Sequence, residues 1–150
     1  MSQWRAWTDG ACRPNPGPGG WGVVLIDPSG SITELSGGET ATTNNRMEFE
    51  AIAHAVASIP EGERGTVYSD SLLAVNILEG RWRGRKMKPL AREIHRLLAN
   101  REIKFQWVKG HAGNRWNERA DVLAGAAIDA DQTQHNCTAD MLKSELPIGI

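Results

Sequence analysis

The first third of the chain alternates short apolar runs with turn signals, which predicts three consecutive strands. Residues 3–9 form the first predicted strand, 21–26 is a short apolar run, and 31–37 alternates between polar and apolar positions. An Asp-Pro-Ser-Gly turn at 27–30 joins the last two strands. Residues 13–20 contain three prolines and three glycines and are predicted to be loop. These segments together predict an antiparallel meander.

Beyond residue 42 the spacing of apolar residues becomes typical of helices, and single strands separate some of these helical segments. The predicted helices are 43–59, with Thr42 or Thr43 as N-cap, then 71–78, 89–99 and 114–130, and the predicted strands are 66–69 and 103–108. Three hairpin strands followed by strand–helix units predict an α/β fold with one mixed five-stranded sheet flanked by helices. Residues 131–150 are polar and without a clear period, so we expect one domain over residues 1–130 and a C-terminal tail.

Composition narrows the classes of protein that fit this pattern. A chain of 150 residues with 17 Lys+Arg and 18 Asp+Glu carries a net charge of −1, which excludes a globally basic nucleic-acid binder and leaves only a local basic patch. Two cysteines are too few for a disulfide framework. The first residues lack the apolar run of a signal peptide, and the longest aliphatic run, 23–26, is far too short for a membrane span. We therefore expect a cytoplasmic protein, and nothing in the sequence indicates an oligomer.

Four acidic residues lie where a purely structural role does not require them. Asp9 ends a predicted strand and Asp70 follows one. Glu48 and Asp121 each fall on the apolar stripe of a predicted helix. Ligands collect at the carboxyl ends of strands in α/β sheets, and a carboxylate that faces a core is costly unless it is paired, protonated or bound to a metal. On the first helix, Glu50 and His54 are expected on the opposite, solvated face.

Each of these acids also has a simpler structural explanation. Asp9 would begin a turn, and Glu48 would gain from the N-terminal end of its helix dipole. Asp70 would cap the helix that follows it, and Asp121 would pair with an arginine such as Arg119 or Arg115. If the four instead converge on one edge of the sheet, their repulsion requires a cation, and oxygen ligands suit Mg²⁺ or Mn²⁺.

Six local strings occur in an order that is specific. They are TDGAC at 8–12, NPGPGGWG at 15–22, TTNNRME at 42–48, SDS at 69–71, WVKGHAG at 107–113 and NERAD at 117–121. In type and order they resemble the motifs of type I ribonuclease H, over residues 3 to about 130. The resemblance implies a ribonuclease H-like fold, whose five-stranded mixed sheet matches the predicted order. It also implies endonucleolytic cleavage of the RNA strand of RNA/DNA hybrids.

The resemblance assigns roles to individual residues. It implies that two divalent ions, Mg²⁺ with Mn²⁺ as a substitute, are held by Asp9, Glu48, Asp70 and Asp121. It implies that His111, on a mobile loop flanked by Gly110 and Gly113, assists proton movement or product release. The implied reaction is in-line attack by metal-activated water, which leaves 5′-phosphate and 3′-hydroxyl ends. The residues implied to lie along the minor groove of the hybrid, where 2′-hydroxyls distinguish RNA from DNA, are Cys12, Asn15, Asn44 and Asn45.

The chain also departs from the family pattern. Leu72 stands where many members have Gln, so one base or sugar contact is expected to be missing, and Ala41 stands where many have Arg. Thr43 is then expected to bind a DNA phosphate more weakly. The stretch after Gly80 is too short for the extra basic helix of longer members but keeps positive charge, and we expect it to bind phosphates through Arg81, Arg83, Arg85, Lys86 and Lys88.

Three other interpretations compete with a nuclease. A non-catalytic hybrid-binding module would keep the groove residues and lose a carboxylate, whereas all four are present. An integrase or resolvase nuclease of the same fold would lack the Asn44-Asn45 pair and the glycine-rich string at 17–22. A purely structural domain leaves the inward-facing Glu48 unexplained.

Overall fold

The elements follow the predicted order. The computed structural model describes residues 3–80, 88–110 and 112–129. They form β1 (Trp4–Cys12), β2 (Gly17–Ile26), β3 (Ile32–Thr42), α1 (Asn44–Ser58), β4 (Arg64–Ser69), α2 (Leu72–Leu78), α3 (Lys88–Leu97), a 3₁₀ turn (Leu98–Asn100), β5 (Glu102–Trp107) and α4 (Arg115–Asp129). Residues 131–150 lie outside the described part, so the predicted tail and the domain boundary at 130 stay predictions.

One five-stranded sheet forms the centre of the fold, in the order β3-β2-β1-β4-β5. The first three strands pair antiparallel. β4 pairs with β1 in parallel, and β5 pairs with β4 in parallel. The predicted mixed sheet is thereby confirmed. β1 is the central strand, with two strands on each side of it.

Helices cover both faces of the sheet. Side chains alternate along β1, so that Ala6 belongs to the larger core beneath α1, α2 and α3, whereas Trp7 belongs to a smaller cluster beneath α4. The same alternation places Val23 in the larger core and Val24 in the smaller one. Among the described residues, no helix combines the length and the apolar character needed to cross a membrane.

The loop predicted at 13–20 is too long, because β2 already begins at Gly17. Gly19 and Gly20 pair with β3, so proline and glycine content concealed the start of a strand. α4 lies directly on the glycines of β2. A Cβ at Gly20 would stand 2.9 Å from the Cβ of Ala127, and one at Gly22 would stand 2.7 Å from that of Leu123. Glycine at these positions is what allows the helix to approach the sheet so closely.

The expectation that Glu50 and His54 face solvent is wrong. Both are 0% exposed, with His54 Nε2 3.7 Å from Glu50 Oε1. The His54 ring stacks on Trp21 of β2, with centroids 4.0 Å apart and planes 8° apart. The physical reason is that α1 packs against four strands and also against α2 and α3, so almost its whole circumference is covered. A periodic pattern with one solvated face does not describe such a helix.

The start of α1 settles its cap. Thr43 has an extended backbone, and its side-chain oxygen accepts a hydrogen bond from the amide of Arg46 at 3.2 Å. Of the two predicted caps, Thr43 is therefore the one used.

Candidate active site

Register brings the first two acids together. β1 and β4 run parallel with Thr8 opposite Ser69, so the next residues, Asp9 and Asp70, lie side by side at the same edge of the sheet. Glu48 approaches from α1. One carboxylate oxygen from each of the three lies within 4.8 Å of the others. The structure thus brings together three of the four acids as a group that can hold a metal ion.

A close approach of strand and helix positions Glu48. The amide of Gly10 donates to Asp9 Oδ1 at 2.9 Å and also to Glu48 Oε1. A Cβ at Gly10 would stand 2.8 Å from the Cβ of Met47, besides meeting backbone atoms of α1. Only glycine allows β1 to lie this near the helix, and the shared amide then fixes both carboxylates.

Asp70 does not cap α2. Ser71 does so, since its hydroxyl accepts from the amide of Ala74 at 3.1 Å. The Asp70 backbone carbonyl accepts from Trp107 Nε1 at 3.1 Å, and its Oδ2 lies 3.4 Å from Nδ2 of Asn117, which is 2% exposed. A Cβ at Gly110 would stand 2.7 Å from Asp70 Oδ2. The capping explanation fails, and the carboxylate is left facing the site.

Sequence reasoning missed two of the residues that hold Asp70. Trp107 and Asn117 both lie in the motif strings at 107–113 and 117–121, but the strings alone do not predict a role for either. The available signal was their place in those strings. The geometry adds the role, because each donates a hydrogen bond to Asp70 from a different element.

Asp121 of α4 lines the same cleft, and its proximity contributes to the raised pKa of Asp9. Its expected arginine partner is engaged elsewhere, since Arg119 binds Glu34 of β3 through Nε at 2.5 Å and Nη2 at 2.9 Å. Arg115 lies over the ring of Trp116, 4.3 Å from its centroid. Pairing with an arginine therefore does not explain Asp121.

The cluster is strained electrostatically when it holds no cation. Burial, together with repulsion from Asp70, raises the pKa of Asp9 from 3.8 to about 8, against the lowering effect of its hydrogen bond with Glu48. Burial and then the Asp9 charge raise the pKa of Glu48 well above its ordinary value. Oxygen donors that repel one another in a partly buried cleft fit a hard divalent cation, which removes the repulsion by binding between them.

The predicted groove residues surround this cluster. The cleft has a volume of about 870 Å³, and Cys12, Asn44 and Asn45 line it together with the four acids. Asn15 Oδ1 accepts from the Asn44 amide at 3.1 Å, which ties the β1–β2 loop to the start of α1. The Cys12 thiol is buried and lies 3.2 Å from the carbonyl oxygens of Pro14 and Gly17. Leu72, the departure from the family pattern, is 47% exposed.

His111, Arg81, Arg83, Arg85 and Lys86 lie outside the described residues, and Lys88 begins α3 with its side chain undescribed. Their roles stay predictions.

Comparison with known proteins decides the family. A sequence model of the RNase H family matches residues 1–129. The chain belongs to the RNase H family. It is therefore a member of a family of nuclease hydrolases, and the resemblance stated from the motifs is confirmed.

Individual RNase H proteins agree with this assignment. The Ribonuclease H of Dinoroseobacter shibae is 42% identical over 141 residues, covering 83% of this chain and 90% of that protein. That of Methylorubrum extorquens is 43% identical over 79% of this chain, which spans 57% of that protein's length. The crystal structure of LC11-RNase H1 in complex with RNA/DNA hybrid superposes with a TM-score of 0.73 at 29% identity, covering 85% of this chain and 97% of that one.

Proposed function

We propose that this protein is an endoribonuclease that hydrolyses the RNA strand of RNA/DNA hybrids and leaves 5′-phosphate and 3′-hydroxyl ends. The observation that carries the proposal is the group of Asp9, Glu48 and Asp70, whose oxygens lie within 4.8 Å, in a chain of the RNase H family. The hybrid bound to the related LC11-RNase H1 supports the choice of substrate. All four family carboxylates line one cleft, which disfavours the alternative of a non-catalytic hybrid-binding module.

The acidic cluster and the family support a divalent-metal requirement, and we propose two Mg²⁺ ions held by Asp9, Glu48, Asp70 and Asp121, with Mn²⁺ as a substitute. Bound ions of this kind supply positive charge at the attacking and leaving oxygens of a phosphodiester. The protein's part is to hold the carboxylates in place. The Gly10 amide orients Asp9 and Glu48, and Asn117 orients Asp70.

His111 is proposed to move a proton or to assist product release, since an unperturbed imidazole titrates near neutral pH. Asn15, Asn44, Asn45 and Cys12 are proposed to follow the minor groove, and Thr43 to meet a DNA phosphate. Amide side chains both donate and accept hydrogen bonds, which suits 2′-hydroxyls and base edges. The side chains of Arg81, Arg83, Arg85, Lys86 and Lys88 are proposed to bind further phosphates. Action as a monomer and a cytoplasmic location stay predictions from the sequence.

The deciding experiment offers the wild-type protein three end-labelled duplexes of one sequence: RNA/DNA hybrid, double-stranded RNA and double-stranded DNA. Each is incubated with Mg²⁺ and with a chelator. We expect cleavage of the RNA strand of the hybrid alone, only with Mg²⁺, and products that a ligase accepts through their 5′-phosphates. Binding of the hybrid without cleavage under any divalent ion would favour the binding-module alternative.

A further inference from the structure

The cleft contains one feature that the proposed roles do not use. Arg13, at the start of the β1–β2 loop, lines it together with the four acids, and it is the only cation among the described lining residues. Its guanidinium lies over α4, where a Cβ at Gly125 would stand 2.8 Å from Arg13 Nη2. Because Gly125 has no side chain, the helix surface leaves room for the arginine head at this point.

The loop that carries Arg13 is anchored on both sides. The Arg13 amide donates to the Pro18 carbonyl at 2.9 Å, and the buried Cys12 thiol contacts the carbonyls of Pro14 and Gly17. Asn15 ties the same loop to α1. A cation on a fixed backbone loses less conformational entropy when it binds an anion than one on a mobile loop does.

Arg13 also differs from other arginines in its partners. Arg119 is paired with Glu34, and Arg64 lies 3.2 Å from Glu102. Within residues 3–80, 88–110 and 112–129, no carboxylate makes an ion pair with Arg13. Its fork of N–H donors is therefore available to an incoming anion, and among the groups of a nucleic acid the backbone phosphate matches the fork geometrically.

Helix geometry indicates which phosphate it would meet. Asp121 and Gly125 are four residues apart on α4, so they lie on one face and are separated by about 6 Å along the axis. The guanidinium over Gly125 thus lies about one helical turn from a proposed metal-binding carboxylate. We propose that Arg13 binds a backbone phosphate of the hybrid adjacent to the one that is cut. This inference rests on the proposed function.

The test compares Arg13→Ala with wild type and with Arg5→Ala. Arg5 is an exposed cation at the opposite end of β1, outside the cleft, and serves as a charge-matched control. Steady-state cleavage of a labelled hybrid is measured at several KCl concentrations, after melting curves have confirmed that each variant is folded. For Arg13→Ala we expect KM to rise about 3- to 10-fold with kcat nearly unchanged, because the contact acts equally on ground and transition states. The plot of log KM against log salt should flatten by about 0.7–0.9, the value for one phosphate.

Other variants separate the explanations. Arg13→Lys keeps the charge and loses the forked geometry of the guanidinium. Its salt slope should therefore match that of wild type, while its KM should lie between those of wild type and Arg13→Ala. Gly125→Ala should displace the guanidinium and raise KM, and this effect should disappear in an Arg13→Ala background. A KM and slope for Arg13→Ala equal to those of Arg5→Ala would overturn the proposal. A raised KM with an unchanged slope would also overturn it, because the contact would not be to phosphate.

A failure of the proposed function gives a different result. In that case wild type does not cleave the hybrid at all, and the question of Arg13 is then decided by hybrid binding alone, measured by fluorescence anisotropy in chelator over the same salt series. A slope that is flatter for Arg13→Ala than for Arg5→Ala supports the phosphate contact. Equal slopes overturn it.

Discussion

At the scale of single residues, Asp70 offers the sharpest test of the acidic cluster. Asp70→Asn removes one charge and keeps the side chain's shape, so we expect cleavage to fall by more than about 100-fold, since even an outer contact to a metal ligand costs about 10–100-fold. Hybrid binding should survive, because less negative charge faces the polyanion. Asp27→Asn, the same change in the exposed β2–β3 turn, is the control and should cleave normally. Full turnover by Asp70→Asn would remove Asp70 from the site.

Asp9 predicts a pH dependence of stability in metal-free protein. Its carboxyl ionises near pH 4 in the unfolded chain but near pH 8 when folded, because burial raises its pKa. Between these values the folded state holds a proton that the unfolded state has released, so its stabilising contribution is complete below about pH 4 and is lost as pH rises towards 8. Each pH unit in this window costs up to about 1.4 kcal/mol.

The measurement is the melting temperature in chelator between pH 5 and pH 8. Wild type should melt several degrees lower at the higher pH, since about 1 kcal/mol corresponds to roughly 2–4 °C for a chain of this size. Asp9→Asn should have a flatter profile and melt higher at pH 8. Part of the slope should remain, because burial raises the pKa of Glu48 too. Equal slopes for wild type and Asp9→Asn would show that the clustered charge does not limit stability.

At the scale of elements, the contact between α4 and β2 depends on glycine. In Gly22→Ala the new methyl would stand 2.7 Å from the Cβ of Leu123, so the helix must move away. We expect a loss of about 1–3 kcal/mol of unfolding free energy, as for other overpacked sites. A lower kcat should accompany it, because α4 carries Asp121. Urea denaturation and hybrid cleavage measure the two effects.

Gly125→Ala, which lies on α4 itself, is the matched control for Gly22→Ala. Only the flexible end of Arg13 lies near the added methyl. Alanine is the better helix former, so this variant should gain about 0.5–1 kcal/mol. If both variants lost the same stability, the tight approach of α4 to Gly22 would not be the cause of the loss.

How far the sequence predicts each element depends on what surrounds it. The positions of α1 and its cap at Thr43 follow from local chemistry, which the sequence contains. The start of β2 at Gly17 does not, because its glycines pair with β3 and are covered by α4, and those partners are distant in the chain. The burial of Glu50 and His54 likewise depends on a second helix packing against the first.

The site shows the same division. The four carboxylates are readable because an acid on an apolar stripe or at a strand end is costly without a partner. The support of Asp70 by Trp107 and Asn117 cannot be read from the sequence, because these contacts join the end of β4 to β5 and α4 across 37 and 47 residues of chain. The position of Arg13 over Gly125 likewise cannot be predicted from the sequence, because neither residue type is unusual at its place in the chain.

At the scale of the whole molecule, the prediction concerns the domain. The last described element, α4, ends at Asp129, and the family match ends there as well. A chain that stops after residue 130 should therefore fold, with a melting temperature within a few degrees of the full protein and kcat/KM within about threefold. Circular dichroism and hybrid cleavage check this. An unfolded or inactive shortened chain would place residues 131–150 inside the functional domain.

Asp9 lies on β1, the central strand of the sheet, which has two strands on each side of it. Its backbone pairs with Gly22 of β2, and the preceding residue pairs with Ser69 of β4. Amide hydrogens in such a place exchange with heavy water only when the entire sheet opens, whereas those at the edges, in β3 and β5, exchange through local fraying. The amides expected to exchange slowest among the described strands and a carboxyl group whose pKa is strongly raised thus belong to one strand. Isotope exchange at Thr8 and Asp9 would then report the cost of assembling the acidic cluster directly, as a change in the global opening rate when a divalent ion is added.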